Sequence, residues 1–323
     1  MSGTTLLVGI DEAGYGPILG PLVVTAAAFD VPAAHAGVSL WNLLRRSVSP
    51  TISKRRCRVP ILDSKKLYRR AEGLDRLERS VLAVLGTWRG LPPTMHGLFG
   101  LLCPDLPGRL AEYPWYRGAN PALPTCADLV DIRIASRLLA EDLQARAVRP
   151  AGCWAEVLPE GQYNRLVNGT QNKAVVLSGL TLRLIQRVAD AYPERELQIC
   201  IDKQGGREHY GHMLLRSFED RRLKVIEESD EHSAYELTGS RTRWQISYSQ
   251  SGESRHLTVA LASMISKYVR ELLMGCFNAY WLREVPKLAP TAGYYEDGLR
   301  FLRDIRPHVQ RLGIREDLLV RQR

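Results

Sequence analysis

The chain has 323 residues and a net charge of +9, and its hydrophobic and charged fractions, 45% and 24%, are those of an ordinary globular protein. No apolar run approaches the roughly 18 residues that would span a membrane, and the N-terminal segment lacks the basic start of a secretory signal, which argues against membrane and secreted proteins. Six cysteines without a CxxC pair favour reduced thiols in the cytoplasm over a disulfide framework or a zinc site.

The first predicted elements form a hairpin. TLLVGID is an apolar run that ends in acids and predicts a buried strand, and PLVVTAAAF predicts a second strand. The turn between them, AGYGPILGP, is punctuated by glycine and proline. Because this connection is short, we expect the two strands to pair in antiparallel fashion.

The positive charge is concentrated just after this hairpin. Residues 41–70 contain one acid, Asp63, and ten basic residues, here named the basic stretch: Arg45, Arg46, Lys54, Arg55, Arg56, Arg58, Lys65, Lys66, Arg69 and Arg70. A local positive field attracts polyanions and makes their binding sensitive to salt. A solvated basic face is the simpler alternative.

Residues 71–85 have helical spacing, and residues 86–124 then change character. Seven of the 18 prolines fall in 86–124, together with Trp88, Phe99, Trp115 and Tyr116. This composition predicts an irregular insertion that packs over the core rather than a flexible linker. Residues 126–147 predict an amphipathic helix, whose expected core side comprises Leu129, Ile132, Ile134, Leu138, Leu139 and Leu143.

The remaining elements alternate between strands and helices. Strands are predicted for GCWAEVL, ELQICID, LKVIEES and RWQISYS, and helices for TQNKAVVLSGLTLRLIQRVADAY, HLTVALASMISKYVRELLMGCF and residues 296–312. This order predicts an α/β fold in which helices flank a central mixed β-sheet, with a helical C-terminal part over 276–323. We expect one domain over 1–323.

Two of the predicted strands end on an acid. A lone carboxylate at Asp11 or Asp202 would be costly to bury, and several together raise one another's pKa. Mg²⁺ relieves both problems because it takes oxygen ligands, commonly a few carboxylates with water and substrate phosphate. Neighbouring strand residues point to opposite faces, so Asp11 and Glu12 share a site only if the strand ends between them. For any single acid of this kind, a turn or helix cap is the alternative.

The strongest indication of function comes from five short segments that occur in a fixed order along the chain. They are spread over most of its length and are GIDEAGYGPILGPLVV (9–24), LDSKKL (62–67), YNRLVNGTQNKAVVLSGL (163–180), IDKQGG (201–206) and ALASMISKYVRE (260–271). Each resembles a motif of ribonucleases HII and HIII, the type 2 ribonucleases H. TAGYYEDGLRFL (291–302) resembles a further family segment weakly.

This resemblance implies a ribonuclease H-like fold and a set of metal ligands. Asp11, Glu12 and Asp202 would be ligands, and Glu271 would be the fourth acid, with a solvent-facing helix residue as its alternative. Two Mg²⁺ or Mn²⁺ ions about 4 Å apart would activate water and stabilise the leaving 3′ oxygen, and the products would carry 5′-phosphate and 3′-hydroxyl ends. Lys267 lies four residues before Glu271 on the same helical face, where it would orient Glu271 or touch phosphate.

Three departures from the family concern the substrate. The family turn Gly-Arg-Gly or Gly-Lys-Gly is here Gly14-Tyr15-Gly16, so the glycines still allow close approach to a 2′-hydroxyl but the cation is missing. Tyr15 would either stack on a sugar or base or pack within the protein. Ala292 replaces a family lysine, and Tyr294 is the candidate for the family's junction-sensing tyrosine. The insertion has no family counterpart, and the N-terminal substrate-binding domain of ribonuclease HIII is absent from this sequence.

The sequence therefore predicts a monomeric endonuclease that cuts the RNA strand of RNA–DNA hybrids. Lys65 and Lys66 belong both to the basic stretch and to a family segment, which favours contact of this stretch with nucleic-acid phosphate. Two alternatives are the same metal chemistry on another structured nucleic acid and a non-catalytic nucleic-acid-binding protein of the same fold. Four mutually repelling acids that face a polyanion argue against the second alternative.

Overall fold

The computed structural model describes residues 3–35, 37–52, 58–68, 73–204 and 209–322. Within these ranges the strands are β1 (Thr4–Ala13), β2 (Leu22–Pro32), β3 (Val48–Ser49), β4 (Val59–Pro60), β5 (Arg149–Leu158), β6 (Leu197–Asp202), β7 (Arg222–Glu228), β8 (His232–Thr238) and β9 (Arg243–Ser249). The α-helices are α1 (Leu40–Leu43), α2 (Ser64–Leu67), α3 (Asp75–Gly86), α4 (Met95–Leu102), α5 (Leu106–Leu110), α6 (Leu129–Ala145), α7 (Glu160–Thr170), α8 (Lys173–Ala191), α9 (Gly211–Ser217), α10 (Gly252–Arg255), α11 (Leu257–Glu284), α12 (Tyr295–Arg311) and α13 (Glu316–Leu319). None of the helices in these ranges is both long and apolar enough to cross a membrane.

The predicted α/β fold with a mixed sheet is confirmed. Seven of the described strands form one sheet in the order β5-β2-β1-β6-β9-β8-β7. β1 and β2 form the expected antiparallel hairpin, whereas β1, β6 and β9 run parallel to one another. The carboxyl ends of β1, β6 and β9 therefore meet at one edge of the sheet. The sequence did not predict β8, whose exposed face carries polar residues that weaken the apolar pattern.

Each face of the sheet carries its own hydrophobic cluster. Along β2, Val23 belongs to one cluster and Val24 to the other, as the two-residue period of a strand requires. The first face is covered by α11, and α8 packs on the second. A Cβ on Gly9 would lie 2.0 Å from the backbone carbon of Thr258, so glycine at this position lets α11 lie directly on β1. This contact brings the N-terminal half of α11 beside the end of β1.

The helix predicted over 126–147 is present as α6, but its buried side is narrower than expected. Three of the six expected core residues are buried, namely Ile132, Leu139 and Leu143. The other three are more than one-third exposed, namely Leu129, Ile134 and Leu138. The reason is that α6 packs mainly on α3 through a single stripe, which also contains Ala135 and Asp142. The apolar residues of α6 therefore predicted a wider buried face than the one that packs on α3.

The insertion over 86–124 contains more regular structure than predicted. It includes α4 and α5, and Thr94 caps the start of α4, where its side-chain oxygen accepts the N–H of Gly97 at 3.2 Å. Trp115 is buried and meets Phe277 of α11 edge to face, with ring centroids 5.4 Å apart. Trp281 lies 6.4 Å from Trp115 in the same cluster. The aromatic residues thus fix this segment on the outer side of α11.

Candidate active site

Asp11 and Asp202 lie side by side at the carboxyl edge of the sheet. In the parallel ladder between β1 and β6 the last pair on β1 is Ile10 with Ile201, and an acid directly follows each of these residues. Asp11 is buried, and its Oδ1 accepts the backbone N–H of Glu12 at 2.7 Å. The order of the strands therefore brings together two acids that lie far apart in the sequence.

Glu12 lines the same cleft as Asp11 and Asp202, which has a volume of about 220 Å³. The sequence suggested that Asp11 and Glu12 could share a site only if β1 ended between them, but β1 continues to Ala13 in its pairing with β2. Pairing with β6 stops at Ile10, so the sheet is open on that side beyond this residue. Both acidic residues of β1 can therefore border the cleft.

A further acid, Glu253, lines this cleft and was missed in the sequence. It lies in α10, whose first residue, Gly252, donates its N–H to Asp202 Oδ1 at 2.7 Å. Glu253 Oε2 is buried and has no hydrogen-bond partner among the described residues. The sequence held a signal for it, since Glu253 is the first acid after β9, the third parallel strand that reaches this edge.

Burial and mutual repulsion raise the pKa values of three acids in the cleft. Burial is the main cause, and it raises the pKa of Glu12 to about 7, that of Asp202 to about 8 and that of Asp11 well above its usual range. Repulsion between these carboxylates and from Glu253 adds to the shifts. Lys65 lowers the pKa of Glu12 in part. Lys65 and Lys267 line the cleft, but their positive charge does not offset the burial and mutual repulsion of these acids, which further positive charge would stabilise.

A divalent cation would supply that charge. The donors fit Mg²⁺ or Mn²⁺, because both ions favour carboxylate oxygens, and Glu253 Oε2 offers an oxygen that no described residue satisfies. In the part of the chain that the structure describes, no three His, Cys, Asp or Glu side chains surround one point closely enough to hold an ion as they stand. We expect these mutually repelling carboxylates to draw together only around a cation.

Glu271, predicted as the fourth ligand, does not line this cleft. It accepts hydrogen bonds from Lys267 Nζ at 2.6 Å and from the Tyr68 hydroxyl at 2.8 Å, and Arg270 Nη1 lies 3.5 Å away. Glu271 lines a separate groove of about 440 Å³ between α11 and the insertion. Lys267 lines the cleft, and Glu271 lies four residues later on α11, one helical turn further from the cleft. This spacing places Glu271 beside Lys267 rather than among the other acids. Glu253, and not Glu271, is therefore the acid that lines the cleft together with Asp11, Glu12 and Asp202.

The Gly14-Tyr15-Gly16 turn forms one wall of the cleft. Gly14 has a φ of +90°, and a Cβ on it would lie 2.6 Å from Arg270 Nε, so both the backbone and the packing require glycine. Gly16 is exposed and has open space where a Cβ would be, which leaves its backbone accessible. The Tyr15 ring packs on one buried cluster, and Lys173 Nζ lies 5.2 Å from the ring centroid. Tyr15 therefore packs within the protein and also borders the cleft.

Lys65, Lys267 and Tyr294, which were predicted to contact substrate, line the cleft, whereas Lys66 does not. Lys65 and Lys66 are exposed on α2, a one-turn helix that Asp63 caps by accepting the N–H of Lys65 at 2.9 Å. Tyr294 is 53% exposed at the rim. Five members of the basic stretch lie outside the described residues, namely Lys54, Arg55, Arg56, Arg69 and Arg70.

Comparisons with known proteins identify similar structures but no similar sequences. No model of a known protein family matches the chain, and no curated protein matches it. The chain is 15% identical to ribonuclease HII from Archaeoglobus fulgidus, solved in complex with PCNA, with a TM-score of 0.44 over 98% of this chain and 94% of that one. It is 17% identical to Bst ribonuclease HIII in complex with Mn²⁺, with a TM-score of 0.46 over 99% of this chain and 67% of that one. For ribonuclease H2 from Pyrococcus horikoshii OT3 the identity is 10% and the TM-score 0.41, over 97% of this chain and 92% of that one.

These structures are type 2 ribonucleases H. They align with 97–99% of this chain. Their identities to this chain are 10–17% and their TM-scores 0.41–0.46. The assignment of a function to this chain therefore depends on the residues of its own cleft.

Proposed function

We propose that this chain is a metal-dependent endonuclease that hydrolyses the RNA strand of RNA–DNA hybrids. One observation carries the proposal: Asp11, Asp202 and Glu253 lie at or just beyond the carboxyl ends of three neighbouring parallel strands and share an open cleft with Glu12. A protein that only bound nucleic acid would gain nothing from four acids that repel its ligand. A phosphodiester hydrolase needs such acids, because they hold the cations on which the reaction depends.

Each group in the cleft has a defined part in the proposed reaction. The four acids would hold Mg²⁺ or Mn²⁺, which when bound supplies activation of water and stabilisation of the leaving 3′ oxygen. Lys65 and Lys267 line the cleft and would donate to phosphate oxygens. The Gly14-Tyr15-Gly16 turn lets the backbone approach a ribose 2′-hydroxyl. Cleavage would leave 5′-phosphate and 3′-hydroxyl ends.

The test is cleavage of a 5′-labelled RNA–DNA hybrid by the full chain. We expect cleavage with Mg²⁺ or Mn²⁺ and none in EDTA. Failure to cut any hybrid with either metal would refute the proposal. Parallel reactions with one ribonucleotide in duplex DNA, with a long RNA run and with double-stranded RNA define the substrate. Cleavage confined to the long run would show that the chain does not sense the junction, and preferential cutting of double-stranded RNA would support the other nuclease activity considered above.

Binding of the hybrid is expected to weaken steeply as salt rises. Arg45, Arg46, Lys65 and Lys66 of the basic stretch are exposed and available to phosphates. With about six phosphate contacts, a rise from about 50 mM to about 200 mM KCl should lower the affinity about a thousandfold. Fluorescence anisotropy in EDTA measures this without cleavage. An affinity that does not change with salt would exclude the basic stretch as a phosphate-binding surface.

Three features stay predictions from the sequence: the monomeric state, the single domain over 1–323 and the cytoplasmic location. Among the described residues Cys103, Cys126, Cys153, Cys200 and Cys276 form no disulfide. Gel filtration with light scattering measures the oligomeric state directly.

A further inference from the structure

The C-terminal segment is attached firmly to the body of the protein. The side-chain amide of Asn164, in α7, donates to the carbonyl oxygens of Asp317 and Val320 at 2.7 Å each. Its side-chain oxygen accepts the N–H of Gln322 at 2.8 Å. Leu319 in α13 is buried in the core. The last described residues are thus held by both backbone hydrogen bonds and apolar packing.

Within this segment, Arg321 forms hydrogen bonds with the turn that makes up one wall of the candidate active site. Its guanidinium donates one hydrogen bond to the carbonyl oxygen of Gly14 and one, at 3.3 Å, to that of Tyr15. Its backbone N–H donates to the carbonyl oxygen of Ile18 at 2.8 Å. The side chain is 3% exposed and lies 4.0 Å from the centroid of the Tyr163 ring. A single arginine therefore holds both ends of residues 14–18.

Other buried charges complete the support behind this loop. Glu160 Oε1 accepts the N–H of Gly20 at 3.1 Å, and its carboxylate attracts both Arg321 and Arg270. Arg270 Nη2 donates to the carbonyl oxygen of Leu19 at 3.1 Å. Burying charged groups is costly unless they are paired and hydrogen-bonded. Their hydrogen bonds to the backbone of residues 14–20 hold this loop in one conformation.

The hydrogen bonds of Arg321 also determine where the turn's amide groups point. In a planar trans peptide the carbonyl and the N–H of the following residue point in opposite directions. Because Arg321 binds the carbonyl oxygens of Gly14 and Tyr15, the N–H groups of Tyr15 and Gly16 are directed away from it. These residues line the cleft, so the arginine controls which backbone groups a bound nucleic acid can meet.

We propose that Arg321 is a positioning residue, which sets the Gly14-Tyr15-Gly16 turn for contact with the ribose of the substrate. The C-terminal segment thereby takes part in substrate binding without touching the substrate. This inference rests on the proposed nuclease function. The cation that holds this turn comes from the far end of the chain.

Steady-state cleavage of the long hybrid by Arg321→Met tests this role. Methionine keeps apolar contact with Tyr163 but donates no hydrogen bonds, so we expect KM to rise about tenfold while kcat stays within about twofold of the wild-type value. Arg321→Lys keeps the charge but cannot form the fork to two carbonyls, so its KM should lie in between. Arg315→Ala is the control, because Arg315 is exposed in the same segment and pairs with Asp317 at 2.6 Å. It should behave as the wild type.

A purely structural role would give a different pattern, in which kcat falls with the active fraction and KM does not change. That pattern, or an unchanged KM in Arg321→Met, would overturn the proposal. Amide hydrogen exchange over residues 14–18 provides a measurement that needs no activity. We expect faster exchange there in Arg321→Lys than in Arg315→Ala, and equal rates would contradict the proposal. Failure of the wild type to cleave any hybrid would count against the proposed function, whereas the exchange result judges Arg321 alone.

Discussion

Asp11→Asn is expected to abolish cleavage of an RNA–DNA hybrid while the protein remains folded. Asp11 stands at the junction of β1 and β6, next to Asp202, and any cation shared by these acids would be bound through it. Asparagine keeps the shape and one oxygen but removes the charge. We expect the rate to fall at least about a thousandfold, equivalent to about 4 kcal/mol of activation free energy. Single-turnover cleavage at saturating Mg²⁺ or Mn²⁺ measures this loss.

The same substitution should stabilise the metal-free protein at alkaline pH, which separates lost chemistry from lost folding. Burial raises the pKa of Glu12 to about 7 and that of Asp202 to about 8, above the ordinary values of about 4. A carboxyl group whose pKa is higher in the folded state binds more protons when folded, so stability falls as pH rises from about 4 to about 8. Removing the charge of Asp11 relieves part of this repulsion.

Thermal unfolding in EDTA measures the effect. The melting temperature of Asp11→Asn should exceed that of the wild type at pH 8, and the difference should disappear near pH 4, where the acids are protonated in both. Adding Mg²⁺ should stabilise the wild type more than the variant, because only the wild type retains the full set of ligands. A lower melting temperature of the variant at pH 8 would show instead that the carboxylate supports the fold.

The sequence predicted those parts of the fold and site that depend on local pattern. The apolar runs of β1 and β6 end in Asp11 and Asp202, and each run is long enough to predict a buried strand from composition alone. The turn at Gly14 was likewise evident, because a glycine beside a strand end indicates an unusual backbone conformation.

The parts that it could not predict depend on contacts between distant segments. Glu253 follows a strand that was expected, but only the sheet order places that strand next to β6. Glu271 was predicted because it ends a motif, and its pairing with Lys267 and Tyr68 is visible only once α2 and α11 are packed together. Arg321 carried no signal at all, since its partner carbonyls belong to the opposite end of the chain.

Glu253→Gln should therefore lower kcat strongly, whereas Glu271→Gln should change it little. Both remove one charge and nearly preserve the size of the side chain. Glu253 lines the cleft, with an oxygen that no described residue satisfies, whereas Glu271 has Lys267 and Tyr68 as donors and lines the neighbouring groove. For Glu253→Gln we expect a loss of at least about a hundredfold in kcat, and for Glu271→Gln a kcat within about threefold of the wild type.

Metal titration strengthens this comparison, because losing a ligand weakens metal binding as well as the rate. The Mn²⁺ concentration for half-maximal activity should rise clearly in Glu253→Gln and remain unchanged in Glu271→Gln. Glu271→Gln should not raise KM for the hybrid, since it frees Lys267, which lines the cleft, from its carboxylate partner. Loss of activity in Glu271→Gln with full activity in Glu253→Gln would restore Glu271 as the fourth ligand. In that case α11 would have to rotate or shift when metal and substrate bind, because Glu271 would need to leave Lys267 and Tyr68 to reach the acids at the ends of β1 and β6.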